Sequence, residues 1–128
     1  MPLADYVLDN GLAAIVGANR RLDICHTLPA TYGEATTDGA YSVGNKTGLT
    51  VGAIAARAPN GRKITVPAVA DGAITETSSS TANDAQFWAL TDPANSRLLC
   101  TGSLASAQFV TDGNTWNTGA FDIGIPNQ

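Results

Sequence analysis

The sequence predicts a mainly β protein: a single antiparallel β-sandwich, jelly-roll or immunoglobulin-like, with one short N-terminal helix. About seven or eight short runs of strand character recur roughly 8–12 residues apart, with Gly, Pro, Asn and Asp between them. Only one stretch has helical periodicity, so no helices alternate with the strands and a parallel α/β fold is excluded. The 128 residues suit one domain with one core, predicted here as residues 1–128.

The helix is predicted within residues 1–17. Apolar residues recur near helical spacing over residues 4–16, with acidic and amide side chains between them. Asp5 lies near the start of this stretch, where a carboxylate complements the helix dipole. Gly17 or Gly11 is expected to end or bend the helix.

The predicted β body covers residues 21–125. Its first strand alternates from Leu22 to Thr27 and is stopped by Leu28-Pro29. Gly, Thr and Ala dominate residues 31–47, which indicates a long loop with one helical turn at Tyr32–Ala35.

A hairpin is predicted at Asn60-Gly61, because this dipeptide between strand residues is a strong short-range hairpin signal. The apolar residues of 49–54 lead into it, and Lys63–Val66 returns from it. Ala70-Asp71-Gly72 is predicted as a second turn, followed by a strand over Ala73–Thr77.

The second half of the chain is predicted to contain five strands separated by polar turns. These strands are Gln86–Thr91, Arg97–Thr101, Gln108–Thr111, Thr115–Asn117 and Ala120–Ile125, with a turn at Asp92–Ser96 and another at Asp112–Asn114. We expect the core to contain Leu22, Ile24, Val51, Ile64, Val66, Ile74, Trp88, Leu90, Leu98, Phe109, Phe121 and Ile123.

The charge pattern argues against nucleic acids and membranes as partners. Seven basic and eleven acidic residues give a net charge of −4, and no basic stripe is present to neutralise phosphates. No apolar run approaches the ~20 residues that cross a bilayer, and the N-terminus lacks a signal-peptide pattern. The charged fraction of 14% is below the usual ~25%. We therefore expect part of the surface to be covered by a partner, with residues 1–17 and 31–47 as candidates.

The residues that carry chemistry form no recognisable active site. His26 is adjacent to Cys25 in a predicted strand, where neighbouring side chains face opposite sides, so they make a poor nucleophile pair. One His and two distant Cys give no metal-ligand spacing. Trp88 and Trp116 fit either a sugar-binding platform or, more commonly in small β domains, the core. We predict no enzymatic activity, no catalytic residue, no cofactor and no metal.

Cys25 and Cys100 are predicted either as free, semi-buried thiols or as a disulfide formed in oxidising surroundings, within the chain or between chains. Strand alternation places Cys100 on the same face as Leu98 and Cys25 opposite Ile24. If Leu98 and Ile24 are both in the core, Cys100 is buried and Cys25 faces outward. An intrachain bond is then disfavoured, and Cys25 is the better candidate for a bond to a neighbouring subunit.

The order of the segments carries a family resemblance. After the helix come Ile24–Pro29, Thr31–Ala35, Gly61–Ala68, Phe87–Asp92, Arg97–Leu104, Val110–Trp116 and Ala120–Ile125. This order resembles a widespread family of small virion proteins of tailed phages and prophages. The resemblance implies a β-sandwich that is made in the host cytoplasm and attaches to the outside of the virion.

A role as a capsid decoration (cement) protein on the mature head is the favoured implication of this resemblance. Its partners would be the major capsid protein and copies of itself, in a homo-oligomer on the particle. The alternative is a tail, neck or fibre module that binds a host-surface glycan or receptor. The family pattern supplies no catalytic residues, and Cys25 and Cys100 depart from it, which implies covalent locking after release from the cell.

Overall fold

The computed structural model describes residues 3–78 and 84–126. The helices are α1 (Asp5–Ala13) and α2 (Tyr32–Thr36). The strands are β1 (Gly17–Cys25), β2 (Ser42–Val51), β3 (Ala55–Ala56), β4 (Arg62–Val66), β5 (Val69–Ile74), β6 (Ala85–Asp92), β7 (Arg97–Gln108), β8 (Thr115–Thr118) and β9 (Phe121–Ile125). The predicted mainly β fold with a short N-terminal helix is confirmed.

The strands form two antiparallel sheets. The larger has six strands in the order β7-β6-β1-β2-β5-β8, and the smaller has three in the order β3-β4-β9. β1 is near the middle of the larger sheet and pairs with β2 on one side and β6 on the other. β7 and β8 are the two edges of that sheet.

The main core combines side chains from both sheets, as a sandwich requires. Seven predicted core residues are buried there: Leu22, Ile24, Val51, Ile64, Val66, Ile74 and Leu90. Three more are partly buried against the same cluster: Trp88, Phe121 and Ile123. The prediction that Phe109 lies in the core is wrong, because this residue is 67% exposed. Leu98 packs instead against a second buried cluster, formed by Cys25, Ala35 and Ala89, on the other side of the larger sheet.

Helix α1 is fixed to the sheets by packing and by two arginines. Its Leu8 and Leu12 are buried, and Arg62 Nε donates to Asp9 Oδ1 over 2.6 Å. After the helix ends, Arg20 donates to the carbonyl oxygen of Val16 over 2.8 Å, which supplies a partner for backbone near the helix C-terminus. The helix runs through Gly11, which neither ends nor starts an element.

Three predicted loop or strand assignments are wrong. Residues 42–47 belong to β2 rather than to a long loop. Ala70-Asp71-Gly72 lies inside β5, where Asp71 has φ +57° and the pairing with β8 shifts register, so the turn residues form a bulge. Residues 109–111 are not in a strand.

The predicted helical turn, hairpin and Asp92–Ser96 turn are confirmed. α2 begins at the predicted Tyr32, and Glu34 N donates to the Thr31 side chain at its start. β3 and β4 pair across the Asn60-Gly61 turn, with Ala56 opposite Arg62. A short 3₁₀ turn links β6 to β7.

Candidate functional site

A buried ion pair lies beneath α2, on the face of β1 that points away from the main core. Asp23 is fully buried, and Arg21 binds its carboxylate with two hydrogen bonds, Nε to Oδ1 over 2.7 Å and Nη2 to Oδ2 over 2.8 Å. Ser42 Oγ donates to Oδ2 over 2.7 Å. Arg21 also donates to the Thr36 carbonyl oxygen over 3.0 Å. These contacts join β1, β2 and α2.

The electrostatics of this pair are those of a closed structural contact. Burial raises the pKa of Asp23, and the hydrogen bonds from Arg21 and Ser42 act in the opposite direction. The hydrogen bond to Asp23 raises the pKa of Arg21, so the guanidinium keeps its charge. The Asp23 carboxylate, the Arg21 guanidinium, the Ser42 hydroxyl and the Thr36 carbonyl bond to one another. This network holds β1, β2 and α2 together, and we assign it a structural role.

Cys25 lies beside this ion pair and is fully buried, in contact with Ala35 and Ala89. Its predicted outward orientation is wrong, because α2 covers the face of β1 that was expected to meet solvent. Burial raises the pKa of the Cys25 thiol to about 12. The interpretation of Cys25 as a link to a neighbouring chain depended on an exposure that this thiol lacks.

Cys100 lies half-buried on the opposite face of the sheet, directly across from Leu90. The predicted common face of Leu98 and Cys100 is wrong. A register shift places Leu98 opposite Thr91 and Cys100 opposite Leu90, so one extra residue of β7 separates the two pairs. Both cysteines are free thiols. They lie on opposite faces, as predicted, but the bulge rather than alternation separates them, because Leu98 packs on the Cys25 side of the sheet.

The other candidate chemical residues are not brought together. His26 Nδ1 lies 2.7 Å from Thr27 Oγ1, and its ring meets Tyr41 edge-on at 5.8 Å between centroids. The Cys25 thiol instead contacts the Ala35 carbonyl oxygen at 3.9 Å. Over residues 3–78 and 84–126, no three His, Cys, Asp or Glu side chains cluster closely enough to hold a metal ion.

Both tryptophans pack over glycines. The Trp116 indole is buried over Gly72 and donates from Nε1 to the Ala73 carbonyl oxygen over 3.0 Å. Trp88 covers Gly102 so closely that an added Cβ there would be 2.5 Å from the ring. Its other neighbour is Phe121, 4.8 Å away between centroids. These rings are engaged in packing, as the more common of the two interpretations expected.

An open groove of about 480 Å³ lies between the second half of β7 and β8. Apolar side chains, among them Ile74, Leu104, Val110 and Trp116, line it together with small polar ones, and none of its lining residues is charged. Phe109 also lines the groove. It follows β7 directly and is the most exposed aromatic residue of the second half of the described chain.

The second half of β7 is poorly attached to its own sheet. Ser103 pairs with Phe87 and Gln108 with Ala85, so three extra residues bulge from β7 between these pairs. Ala105–Gln108 are exposed. Residues 98–111 contain no Asp, Glu, Lys or Arg. This uncharged edge was missed from the sequence because Phe109 was assigned to the core, although the charge-free run was visible.

A second apolar surface is the outer face of α1, where Tyr6 is 77% exposed, Val7 50% and the preceding Leu3 39%. This face belongs to one of the two segments predicted as a partner surface. The other, residues 31–47, has buried residues in α2 (Ala35) and in β2 (Ser42), so it is not the free loop that was expected.

Comparisons of the chain with protein-family models, curated proteins and solved structures gave no match. Within the described part of the chain, no helix is long and apolar enough to span a membrane.

Proposed function

We propose that the chain is a structural protein of a tailed-phage virion, a decoration (cement) protein on the outer surface of the mature head. The observation that carries the proposal is the outer face of α1. Tyr6 and Val7 stay exposed on a helix whose opposite face is buried and whose Asp9 is bound by Arg62. A rigid helix that presents apolar side chains suits a permanent contact with another protein.

The ion pairs within the chain are consistent with a structural role. Arg20, Arg21, Arg62 and Lys63 each pair with an aspartate of the same chain. A cement protein needs a stable β body with an attachment surface, and it needs neither a cofactor nor a catalytic group. The alternative, a tail or fibre module that binds a glycan, needs an exposed tryptophan platform. Trp88 is packed against Gly102 and Phe121, and Trp116 is only 9% exposed where it lines the groove.

The number of copies in purified particles separates these roles. Quantitative mass spectrometry should find on the order of hundreds of copies for a head protein, and about six or twelve for a tail or neck module, following the symmetry of each structure. The absence of the chain from the particles would contradict the virion role.

The contact surface is tested by substitution rather than by deletion. Removing residues 1–17 also removes the buried Leu8 and Leu12, so that variant is expected to unfold. A Tyr6→Ser/Val7→Ser double variant should stay folded and lose binding to expanded heads. Leu28→Ser, at an equally exposed apolar residue outside α1, is the matched control and should bind normally. Equal binding of both variants would reject the α1 contact.

A further inference from the structure

The sheet edges of this protein are protected to different degrees. β3 is two residues long and β8 four, and β9 carries Asp122, which is bound by Lys63 over 2.9 Å. Short edges and charged side chains both discourage pairing with other chains. β7 is twelve residues long. Its second half has neither protection, although a bulge interrupts its pairing with β6 there. No described strand pairs with its outer edge.

Opposite charges flank the uncharged stretch of β7. Arg97 precedes residues 98–111 and Asp112 follows them. Both residues are exposed, and within the described residues neither side chain takes part in an ion pair. A segment with one charge at each end is complementary to a second copy of itself in the antiparallel direction. In the parallel direction, each charge would meet its own kind.

We propose that two copies of this chain associate through antiparallel pairing of their β7 edges, about a two-fold axis at Ala105. This register places Ala105 opposite its counterpart and Ser103 opposite the partner's Ala107. It brings each Arg97 towards the end of the partner segment that carries Asp112. Small side chains allow the two backbones to approach, and the contact is isologous, so it closes at a dimer. The proposal does not depend on the virion role.

A second copy fits this edge better than an unrelated peptide does. A chain with a net charge of −4 repels its own copies at most surfaces, and the uncharged β7 stretch avoids that repulsion. Phe109, exposed beside the groove, directly follows this edge and adds apolar surface next to it. The Arg97 and Asp112 pattern specifies a direction for a copy of the same segment, whereas a peptide without these charges gains nothing from it.

A charge-reversal cycle on the full chain tests the register. Sedimentation velocity over a concentration series measures the dimer dissociation constant of the wild type and of each variant. Arg97→Glu and Asp112→Lys each place like charges at both ends of the contact, and each should weaken the dimer by about tenfold. The Arg97→Glu/Asp112→Lys double variant should recover most of this loss. Loss without recovery in the double variant would overturn the antiparallel register.

Two further variants test the edge itself. Ala105→Lys should give a monomer at all concentrations, while Ala70→Lys, an exposed alanine on the interior strand β5, should dimerise like the wild type. In a Cys100→Ser background, Ala105→Cys should form an interchain disulfide on oxidation, because directly opposed residues of antiparallel strands lie within disulfide reach. Ala70→Cys in the same background should not.

The outcomes that overturn the proposal are defined by the same experiments. A monomeric wild type at the highest concentration would reject self-association. If Ala105→Lys then also failed to bind expanded heads, the β7 edge would belong to the shell contact instead. A wild-type dimer that Ala105→Lys leaves intact would place the interface elsewhere. Circular dichroism of each variant confirms that a change in association is not a loss of fold.

Discussion

The central strand β1 and the edge strand β7 belong to one sheet and differ in almost every physical respect. β1 is paired on both sides and covered on both faces, by the main core at Leu22 and by α2 at Asp23. β7 is paired on one side only, and its second half leaves even that partner between Ser103 and Gln108. One strand is enclosed by its own chain, and the other is open to a second molecule.

The difference between the two strands lies in where the charges are. The chain has few charged residues, and four of its basic side chains are used to join its own elements. The longest edge of the larger sheet receives none between residues 98 and 111. The low charged fraction of the chain therefore includes one continuous uncharged stretch, and this stretch lies along the β7 edge.

The largest expected effect is at the closed strand. Asp23→Ala leaves the guanidinium of Arg21 without its carboxylate and the Ser42 hydroxyl without its acceptor. Breaking one partner of a buried pair costs about 3–5 kcal/mol, so the free energy of unfolding in urea should fall by that amount. In dilute solution, where the chain is monomeric, Asp112→Ala, at an exposed carboxylate, should change it by less than about 0.5 kcal/mol. Similar losses of unfolding free energy in the two variants would contradict the structural role of the buried Asp23–Arg21 pair in β1.

The next effect separates the two halves of β7. In its first half, Gly102 lies under Trp88, and an added methyl group would meet the ring at 2.5 Å. Gly102→Ala should therefore cost about 1–3 kcal/mol, as overpacking does in a filled core. Gly119→Ala is the control, since an added Cβ there meets nothing within 4 Å. A neutral Gly102→Ala would mean that Trp88 moves freely and that this half of β7 is also loose.

Alkaline pH tests the enclosure of β1 through Cys25. The folded-state pKa of this thiol is raised to about 12 from an ordinary value of 9.0, so the unfolded chain loses its proton first. The stabilisation is complete below about pH 9 and is lost as the pH rises towards 12. Between pH 8 and pH 10, the free energy of unfolding should fall by about 1.4 kcal/mol more in the wild type than in Cys25→Ala. Equal slopes would contradict the burial of Cys25.

The smallest effect is expected at Phe109. Truncation of a buried phenylalanine costs about 3–5 kcal/mol, but Phe109 is 67% exposed. Phe109→Ala should change the stability of the dilute monomer by less than about 0.5 kcal/mol, as followed by urea unfolding. A loss of several kcal/mol in the free energy of unfolding would indicate that Phe109 is buried in the core, as the sequence pattern predicts.

Periodicity and turn chemistry predicted the fold class, the helix, the Asn60-Gly61 hairpin and most of the core, because these depend on neighbours in the sequence. The errors arose where a distant element decides the outcome. Cys25 is buried because α2 packs over it, and no pattern around Cys25 contains that information. The bulge after Leu98 reverses strand alternation before Cys100, and the bulge at Asp71 turns a predicted turn into part of β5.

The candidate surfaces were predictable in part. Residues 1–17 are predicted as a partner surface, and Tyr6 and Val7 are exposed there. The β7 edge is not predicted, because a short alternating segment such as Gln108–Thr111 fits a buried strand and an exposed contact equally well. Only the sheet order, which places β7 at the edge of the larger sheet, distinguishes the exposed contact from the buried strand.

Amide hydrogen exchange tests the contrast between the two strands most directly. In dilute solution, the amides of Leu22–Cys25 should exchange slowly, near the rate of global unfolding, while those of Leu104–Ala107 should exchange orders of magnitude faster. Raising the protein concentration should slow exchange in Leu104–Ala107 and leave Leu22–Cys25 unchanged. Equal protection of the two segments in dilute solution, or no change in β7 at high concentration, would contradict the account of a closed centre and an open edge.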